Sequence, residues 1–333
     1  VINKTKRITF KNASIEGSIN LKGAILDDLI LSKYKTSLDP SSDNIKLLSP
    51  DGTSNPYYIE TGWKELNDSN VELPNLETEW ISDNSKLSPS NPVSLTWTNN
   101  QNITFKINYI IDEEYMFTIT QEIINNGNST IEVFPYRLIK RINTPDTINF
   151  FILHEGLISL INDELLEKNY DDIADDCNSS LQTKKSFCDN KSQGGWLGFT
   201  DKYWMSALIP DSDQSININY RHANNGRDSY RAGYVGQIYN ITPNNSLSYG
   251  GKLFVGAKKL NVLSAYDEKL SIPRFTDAID WGWFSFLTKP VSYAINWFYS
   301  YAGNFGLAII AFTILMRLIL FPLAQASFKS MAK

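Results

Sequence analysis

Apolar and polar residues alternate along much of the first 256 positions, at the spacing of two that a half-buried strand requires. The clearest case is Ile103, Phe105, Ile107, Tyr109 and Ile111. After a turn at Asp112–Glu114 the pattern resumes in Tyr115, Phe117, Ile119, Gln121 and Ile123, so residues 103–124 predict a hairpin. Asn126–Gly127 marks the next turn and Ile131–Arg141 the next strand. Upstream, residues 7–10 and 14–34 give short apolar runs broken by Gly17 and Gly23, and Ser94–Trp97 reads as a strand. Residues 39–60 are rich in Ser, Asp, Pro and Gly and read as turns and loops. Downstream, 151–161 is apolar and turn-bounded, and 162–173 (NDELLEKNYDDI) reads as an acidic surface stretch. Trp196–Thr200 and Trp204–Ile209 flank a turn, and Gln214–Tyr220, Tyr234–Tyr239 and Leu247–Val255 complete the series. So many short strands, with almost no helical period before residue 257, predict a mainly β fold built as a large antiparallel sandwich. Leu260, Leu263 and Tyr266 then recur at helical spacing, predicting an edge helix over 257–268.

The pattern changes after residue 278. Residues 279–301 gather Trp281, Trp283, Phe284, Phe286, Trp297, Phe298, Tyr299 and Tyr301. Such amphipathic rings concentrate where lipid headgroups meet hydrocarbon. Pro290 reads as a helix start, with Val291, Ile295 and Phe298 on one face. The expectation is an interfacial amphipathic helix anchored by Trp281, Trp283, Phe286 and Trp297; the alternative is a second buried helix of the sandwich. Gly303–Asn304 offers a bend. Phe305 to Leu323 follows with one charge, Arg317, and one late proline, Pro322. At helix rise it spans about 28 Å, and it has no polar stripe, which predicts a transmembrane helix. Lys329 and Lys333 follow the span, while Asp277, Asp280 and Lys289 precede it, so the C-terminal end is expected on the cytoplasmic side. The β-rich part is then outside.

A net charge of −5 provides no basic field and argues against a nucleic-acid partner. Cys177 and Cys188 are the only cysteines. Outside the cytoplasm they are placed to close a short disulfide; two free thiols are the alternative. With His154 and His222 the only histidines, and both far away in sequence, neither a metal site nor a cofactor is expected. His154 beside Glu155, and His222, are the best candidates for acid–base chemistry; surface or packing roles are the simpler account of both. No catalytic residue is therefore assigned. A start at Val1 without methionine and a stop at Lys333, just past the span, are expected of a piece of a longer protein.

Several stretches together resemble the YidC family of membrane protein insertases. They are HEGLISLIND from His154, WLGFTDKYWMSALIP over 196–210, and the whole of 280–333, with GNFG at 303–306, FPL at 321–323 and SMAK at the end. The resemblance implies a periplasmic β-supersandwich similar to sugar mutarotases, lying between a missing first transmembrane helix and the one present here. It implies domains at 1–270 (periplasmic), 271–302 (linker and interfacial helix), 303–323 (transmembrane) and 324–333 (start of the cytoplasmic region). It also implies a bacterial inner-membrane protein that is not an enzyme. Family proteins insert membrane proteins alone or beside the Sec translocon, through a water-filled groove whose arginine corresponds to Arg317. The partners implied are nascent membrane proteins, the Sec translocon with its accessory subunits, the lipid bilayer, and the ribosome through regions beyond Lys333. The competing class is a membrane-tethered sugar- or peptide-binding sandwich.

Overall fold

The computed structural model describes residues 5–65, 71–147, 153–180, 185–282 and 284–331. The chain divides into two units, Val1–Ile279 and Asp280–Lys333. In the first unit the described strands are β1 (Arg7–Lys11), β2 (Ile15–Asn20), β3 (Ile25–Lys35), β4 (Asn44–Leu48), β5 (Tyr57–Glu65), β6 (Ile81–Ser82), β7 (Lys86–Leu87), β8 (Val93–Thr98), β9 (Ile103–Ile111), β10 (Met116–Asn125) and β11 (Ile131–Ile142). They continue with β12 (Gly156–Ile161), β13 (Glu164–Lys168), β14 (Asp189–Gln193), β15 (Trp196–Thr200), β16 (Trp204–Ile209), β17 (Ser215–Asn224), β18 (Asp228–Val235), β19 (Tyr239–Ile241), β20 (Asn245–Tyr249) and β21 (Lys252–Ala257). Helix α1 (Tyr170–Asp176) lies among them, and α2 (Leu260–Leu270) follows.

These strands form two sheets. The first runs β14-β17-β18-β11-β5-β3-β2-β1-β7, with β19 beside β11 and β4 beside β3. The second runs β13-β12-β15-β16-β21-β10-β9-β8-β6, with β20 beside β10. Neighbours are antiparallel except β1 and β7, which pair in parallel. The hairpin of β9 and β10 shows why the sheets meet. Ile103, Phe105, Ile107, Tyr109 and Ile111 are buried on one face, in register with the buried face of β10. Across the core, Phe10 of β1 meets Phe117 of β10 edge-on at 5.3 Å, and Trp63 of β5 meets Phe105 of β9 at 5.2 Å. Each such pair stabilises by about 0.5–1.5 kcal/mol beyond the area it buries.

Two cations also tie sheet to sheet. Arg137 of β11 is fully buried. Its Nε donates to Gln121 Oε1 at 3.0 Å, and its Nη2 donates to the carbonyls of Ile119 at 2.8 Å and Tyr249 at 3.4 Å. Gln121 of β10 in turn donates to the Gly62 carbonyl of β5 at 2.7 Å. Arg141, also on β11, donates to Asp201 Oδ1 at 2.7 Å and to the Tyr170 hydroxyl at 3.0 Å, with its guanidinium 4.6 Å from the Tyr57 ring centre. Helix α2 closes one end of the sandwich. The Tyr266 hydroxyl donates to Asp112 Oδ2 at 2.5 Å and accepts from the Tyr115 N–H at 3.1 Å.

Several expectations need correction. Residues 39–60 are not all loop: β4 and the start of β5 lie there, because Leu47, Leu48, Tyr57 and Ile59 reach the core. The stretch 162–173 is not simply an acidic surface: it holds β13 and the start of α1. Asn169 caps α1, accepting from the Asp172 N–H while the Asp172 carboxylate accepts from its own. The strand expected at Tyr234–Tyr239 is two pieces, since Gly236 turns the chain at Pro135, where a Cβ would lie 2.9 Å from the proline ring. Leu247–Val255 is likewise two strands, broken at Gly250–Gly251, where Gly251 takes φ 146°. Helix α2 starts at Leu260 rather than 257 and ends with Ser271 in the left-handed region, just before Pro273.

Two stability outcomes follow. Arg137→Ala strands the Gln121 and backbone oxygens it serves inside the core, and should cost about 3–5 kcal/mol in chemical denaturation; a loss under 1 kcal/mol would show that these contacts contribute little. A disulfide joins Cys177 and Cys188, both fully buried, 11 positions apart with Cα atoms at 5.6 Å. Replacing both by serine should cost about 2–3 kcal/mol by the loop-closure estimate. Two labelled thiols in the oxidised, folded protein would contradict that bridge.

Candidate functional site

The second unit contains two helices, α3 (Ser285–Ala302) and α4 (Phe305–Met331). Helix α3 begins ahead of Pro290, which lies inside it. The first turn forms on the Phe284 carbonyl, which accepts from the N–H groups of Leu287 at 2.8 Å and Thr288 at 2.9 Å. Proline at the sixth position then forfeits only one intrahelical bond. Gly303 ends α3 with φ 62°, and its N–H donates to the Tyr299 carbonyl at 2.9 Å. Asn304 opens α4: its Oδ1 accepts from the Leu307 N–H at 3.2 Å.

Of the expected anchors, Trp283 lies outside the described residues. Trp281 carries the Lys289 ammonium 5.6 Å from its ring centre, and its carbonyl accepts from the Thr288 hydroxyl at 2.8 Å. Phe286 is 76% exposed and Trp297 57%. Trp297 packs on Phe298 and Tyr301, each at 5.0 Å. No α3 residue is buried, and Phe286, Tyr293, Trp297 and Tyr301 form an exposed stripe at helical spacing. The face marked by Val291, Ile295 and Phe298 is half-buried instead. The exposed stripe was readable as an i, i+7, i+11, i+15 series, but a composition apolar on both sides hid which face stays open.

Helix α4 is long and apolar enough over Phe305–Pro322 to cross a membrane, by length and composition. It does not stop at Leu323: the helix passes through Pro322 and runs to Met331. Proline disfavours the helical conformation of the residue before it and removes one bond, yet flanking turns hold the helix across it. Arg317 is exposed, and among the described residues it has no ion pair. One turn earlier on the same face, Thr313 satisfies its hydroxyl by donating to the Ile309 carbonyl at 2.8 Å. That leaves Arg317 as the one charge of the span.

The titratable candidates of the sandwich are each engaged locally. A His154 ring nitrogen lies 2.8 Å from the Leu157 carbonyl, and Glu155 accepts from the Lys202 N–H at 3.3 Å. His222, buried on β17, meets Asp228 Oδ1 at 2.9 Å and lies 5.0 Å from the Tyr230 ring. Hydrogen bonds from His222 and Asn224 hold the Asp228 carboxyl below the ordinary range. A cavity of about 310 Å³ beside β4 and β11 is lined by Lys46, Asn55, Tyr57, Arg141 and Asn143 among others. Its guanidinium is already committed to Asp201 and Tyr170. Among the described residues no cluster of three or more His, Cys, Asp or Glu is arranged to hold a metal.

Comparison with known proteins adds the following. The sequence model of the YidC periplasmic domain matches residues 7–294. The chain is 41% identical over 329 residues to a membrane protein insertase YidC of Rickettsia felis, covering 98% of this chain and 57% of that protein. It is 42% identical over 333 residues to the protein of the same name from Rickettsia prowazekii, covering 99% and 58%. The chain thus spans 57–58% of the length of these curated relatives. Among solved structures, a galactose mutarotase related enzyme from Lactobacillus acidophilus has a TM-score of 0.48 at 8% identity, covering 75% of this chain and 97% of that one. A putative aldose 1-epimerase from Escherichia coli K12 has a TM-score of 0.47 at 9% identity, covering 75% and 99%. With its domain model matched over most of its length, the chain belongs to the YidC family and carries that family's periplasmic domain.

Proposed function

We propose that this chain is part of an inner-membrane insertase, which assists nascent membrane proteins into the bilayer and carries no enzymatic activity. The observation that supports the reading best is Arg317, the lone charge of an apolar span in a YidC-family chain. In this account Arg317 is a fixed cation in a hydrophilic intramembrane groove, drawing in acidic or polar segments of clients and lowering the barrier to their crossing. Residues 1–270 lie in the periplasm, 271–302 form the linker and interfacial helix, 303–323 cross the bilayer, and 324–333 begin the cytoplasmic region. Trp281, Trp283, Phe286 and Trp297 seat the interfacial helix. The sandwich serves as a docking platform for the Sec translocon and its accessory subunits, and the ribosome is met by cytoplasmic regions beyond this chain.

The alternative for Arg317 is snorkelling, since its long stem lies about 9 Å along the helix from Leu323. Holding a charge at the centre of the hydrocarbon costs about 2.5–3.5 kcal/mol on insertion scales. Substitution in a full-length insertase separates the two accounts. Arg317→Ala should reduce insertion of clients with acidic tails by tenfold or more, on the order of a lost charged hydrogen bond, with normal protein abundance. Arg317→Lys should retain part of the activity, because the charge survives although the planar fork is lost. Equal insertion by alanine and wild type for every client would leave only snorkelling. Deleting most of the sandwich while keeping 270–333 should leave insertion largely intact; loss of insertion at normal protein levels would place the essential function in the periplasm.

A further inference from the structure

The cavity beside β4 and β11 holds about 310 Å³, and Tyr57 and Arg141 form part of its lining. Arg141 is held there in a fixed plane. The Tyr57 ring centre lies 4.6 Å from its guanidinium and the Tyr170 ring centre 5.8 Å. Tyr57 is itself tied to the second sheet, since its hydroxyl shares a hydrogen bond with that of Ser206. The bonds that commit Arg141 to Asp201 and Tyr170 both leave from Nη1. Among the described residues Nε and Nη2 have no hydrogen-bond partner, and neither is sealed from solvent. The side chain keeps 14% of its surface open. With Nη1 turned to Asp201, the edge left for the cavity is the Nε–Nη2 fork, two parallel N–H donors.

The wall of the cavity is braced as well. Asn143, just past β11, takes φ 66°, a left-handed conformation that asparagine tolerates better than most side chains. Its Nδ2 donates to the Ser54 carbonyl at 2.8 Å and to Asn55 Oδ1 at 3.1 Å, and its Oδ1 accepts from Arg227 Nε at 3.2 Å. Arg227 also donates to the Ser54 carbonyl. Three segments distant in sequence thus hold this wall: the loop before β5, the end of β11 and the β17–β18 turn. Charge around it is balanced. Lys46 is paired with Asp28 at 3.3 Å, Asp201 offsets Arg141 at Nη1, and Asp146 is exposed.

We infer that the cavity binds a small ionised carboxylic acid, gripped side-on by Nε and Nη2 of Arg141. A planar carboxylate matches that fork with two parallel hydrogen bonds, and bonds between charged partners are about twice as strong as neutral ones. The flanking rings and the Nη1 bonds orient the fork before a ligand arrives, so little ordering cost is left for binding. Charge selects a monoanion. A cation would meet the guanidinium, and a dianion such as phosphate would find one fork, with Lys46 already paired to Asp28. An uncharged ester keeps both oxygens but loses the charge-assisted bonds. The volume leaves room for a short carbon chain beside the carboxylate.

The test uses the whole chain in uncharged detergent micelles at pH 7, titrated calorimetrically with acetate, propionate and 2-hydroxypropionate. Their methyl esters and inorganic phosphate serve as controls. At least one acid should bind saturably in the millimolar range or tighter, and its ester should not. Arg141→Lys keeps the charge but not the fork, and should weaken binding about tenfold or more. Asp201→Asn leaves an acceptor for Nη1 while removing a competing negative charge, and should tighten binding about threefold or more. A guanidinium that serves only to join the sheets would not produce that gain, so Asp201→Asn decides the matter if Arg141→Lys fails to fold. Absence of saturable binding by every acid overturns the proposal. So does equal binding of acid and ester, tighter binding of phosphate than of any acid, or an affinity that Asp201→Asn leaves unchanged or lowers.

Discussion

The buried guanidinium of Arg137 is the constraint to which the rest of the sandwich conforms. A permanent charge taken out of water is costly unless most of its donors are met. Here Nε and Nη2 are met by the opposite sheet, through Gln121 and the carbonyls of Ile119 and Tyr249, while Nη1 is buried without a hydrogen-bond partner. Gln121 must therefore hold a core-facing place among Phe117, Ile119 and Ile123, and its own amide then reaches back to Gly62. Gly251 is forced by the same group, because a Cβ there would lie 2.4 Å from Arg137 Nη1. One polar connection thus fixes how β5, β10, β11 and the β20–β21 break sit together. Hydrophobic burial alone would permit the sheets to slide; directional bonds across the core do not.

The same reasoning shows why parts of the fold were legible in the chain and parts were not. The β9–β10 hairpin was readable because one face is buried and the period of two is complete, even with Gln121 in the series. The breaks at Gly236 and Gly250–Gly251 were not, since what demands glycine there is the approach of Pro135, Tyr249 and Arg137 from distant strands. Pro290 marked a helix start by local preference, but the turn ahead of it already belongs to α3. Among polar residues, Arg317 stood out against an apolar background. Glu60 did not, because a lone glutamate within a strand looks like any solvated side chain. Its setting depends on β11 and β18, which lie far off in sequence.

The two units therefore use charge in opposite ways. In the sandwich, Arg137 and Arg141 are held by partners from the other sheet and serve architecture. In α4, Arg317 has no ion pair among the described residues, which suits an exposed cation that acts on something outside the chain. Thr313, one turn away, keeps its hydroxyl within the helix and adds no competing donor. A groove built around Arg317 should accordingly be one-sided, following the face that Thr313, Arg317 and Leu320 share.

That one-sidedness is the most direct handle on the central claim. A photo-crosslinking amino acid can be placed singly at Thr313, Leu320, Leu315 or Ile319 of a full-length insertase while a small membrane protein with an acidic tail is being synthesised. The account predicts adducts with the nascent chain from Thr313 and Leu320, and lipid adducts alone from Leu315 and Ile319, which lie on the opposite side of the helix. Equal capture of the nascent chain from all four positions, or from none, would contradict a client groove organised by Arg317.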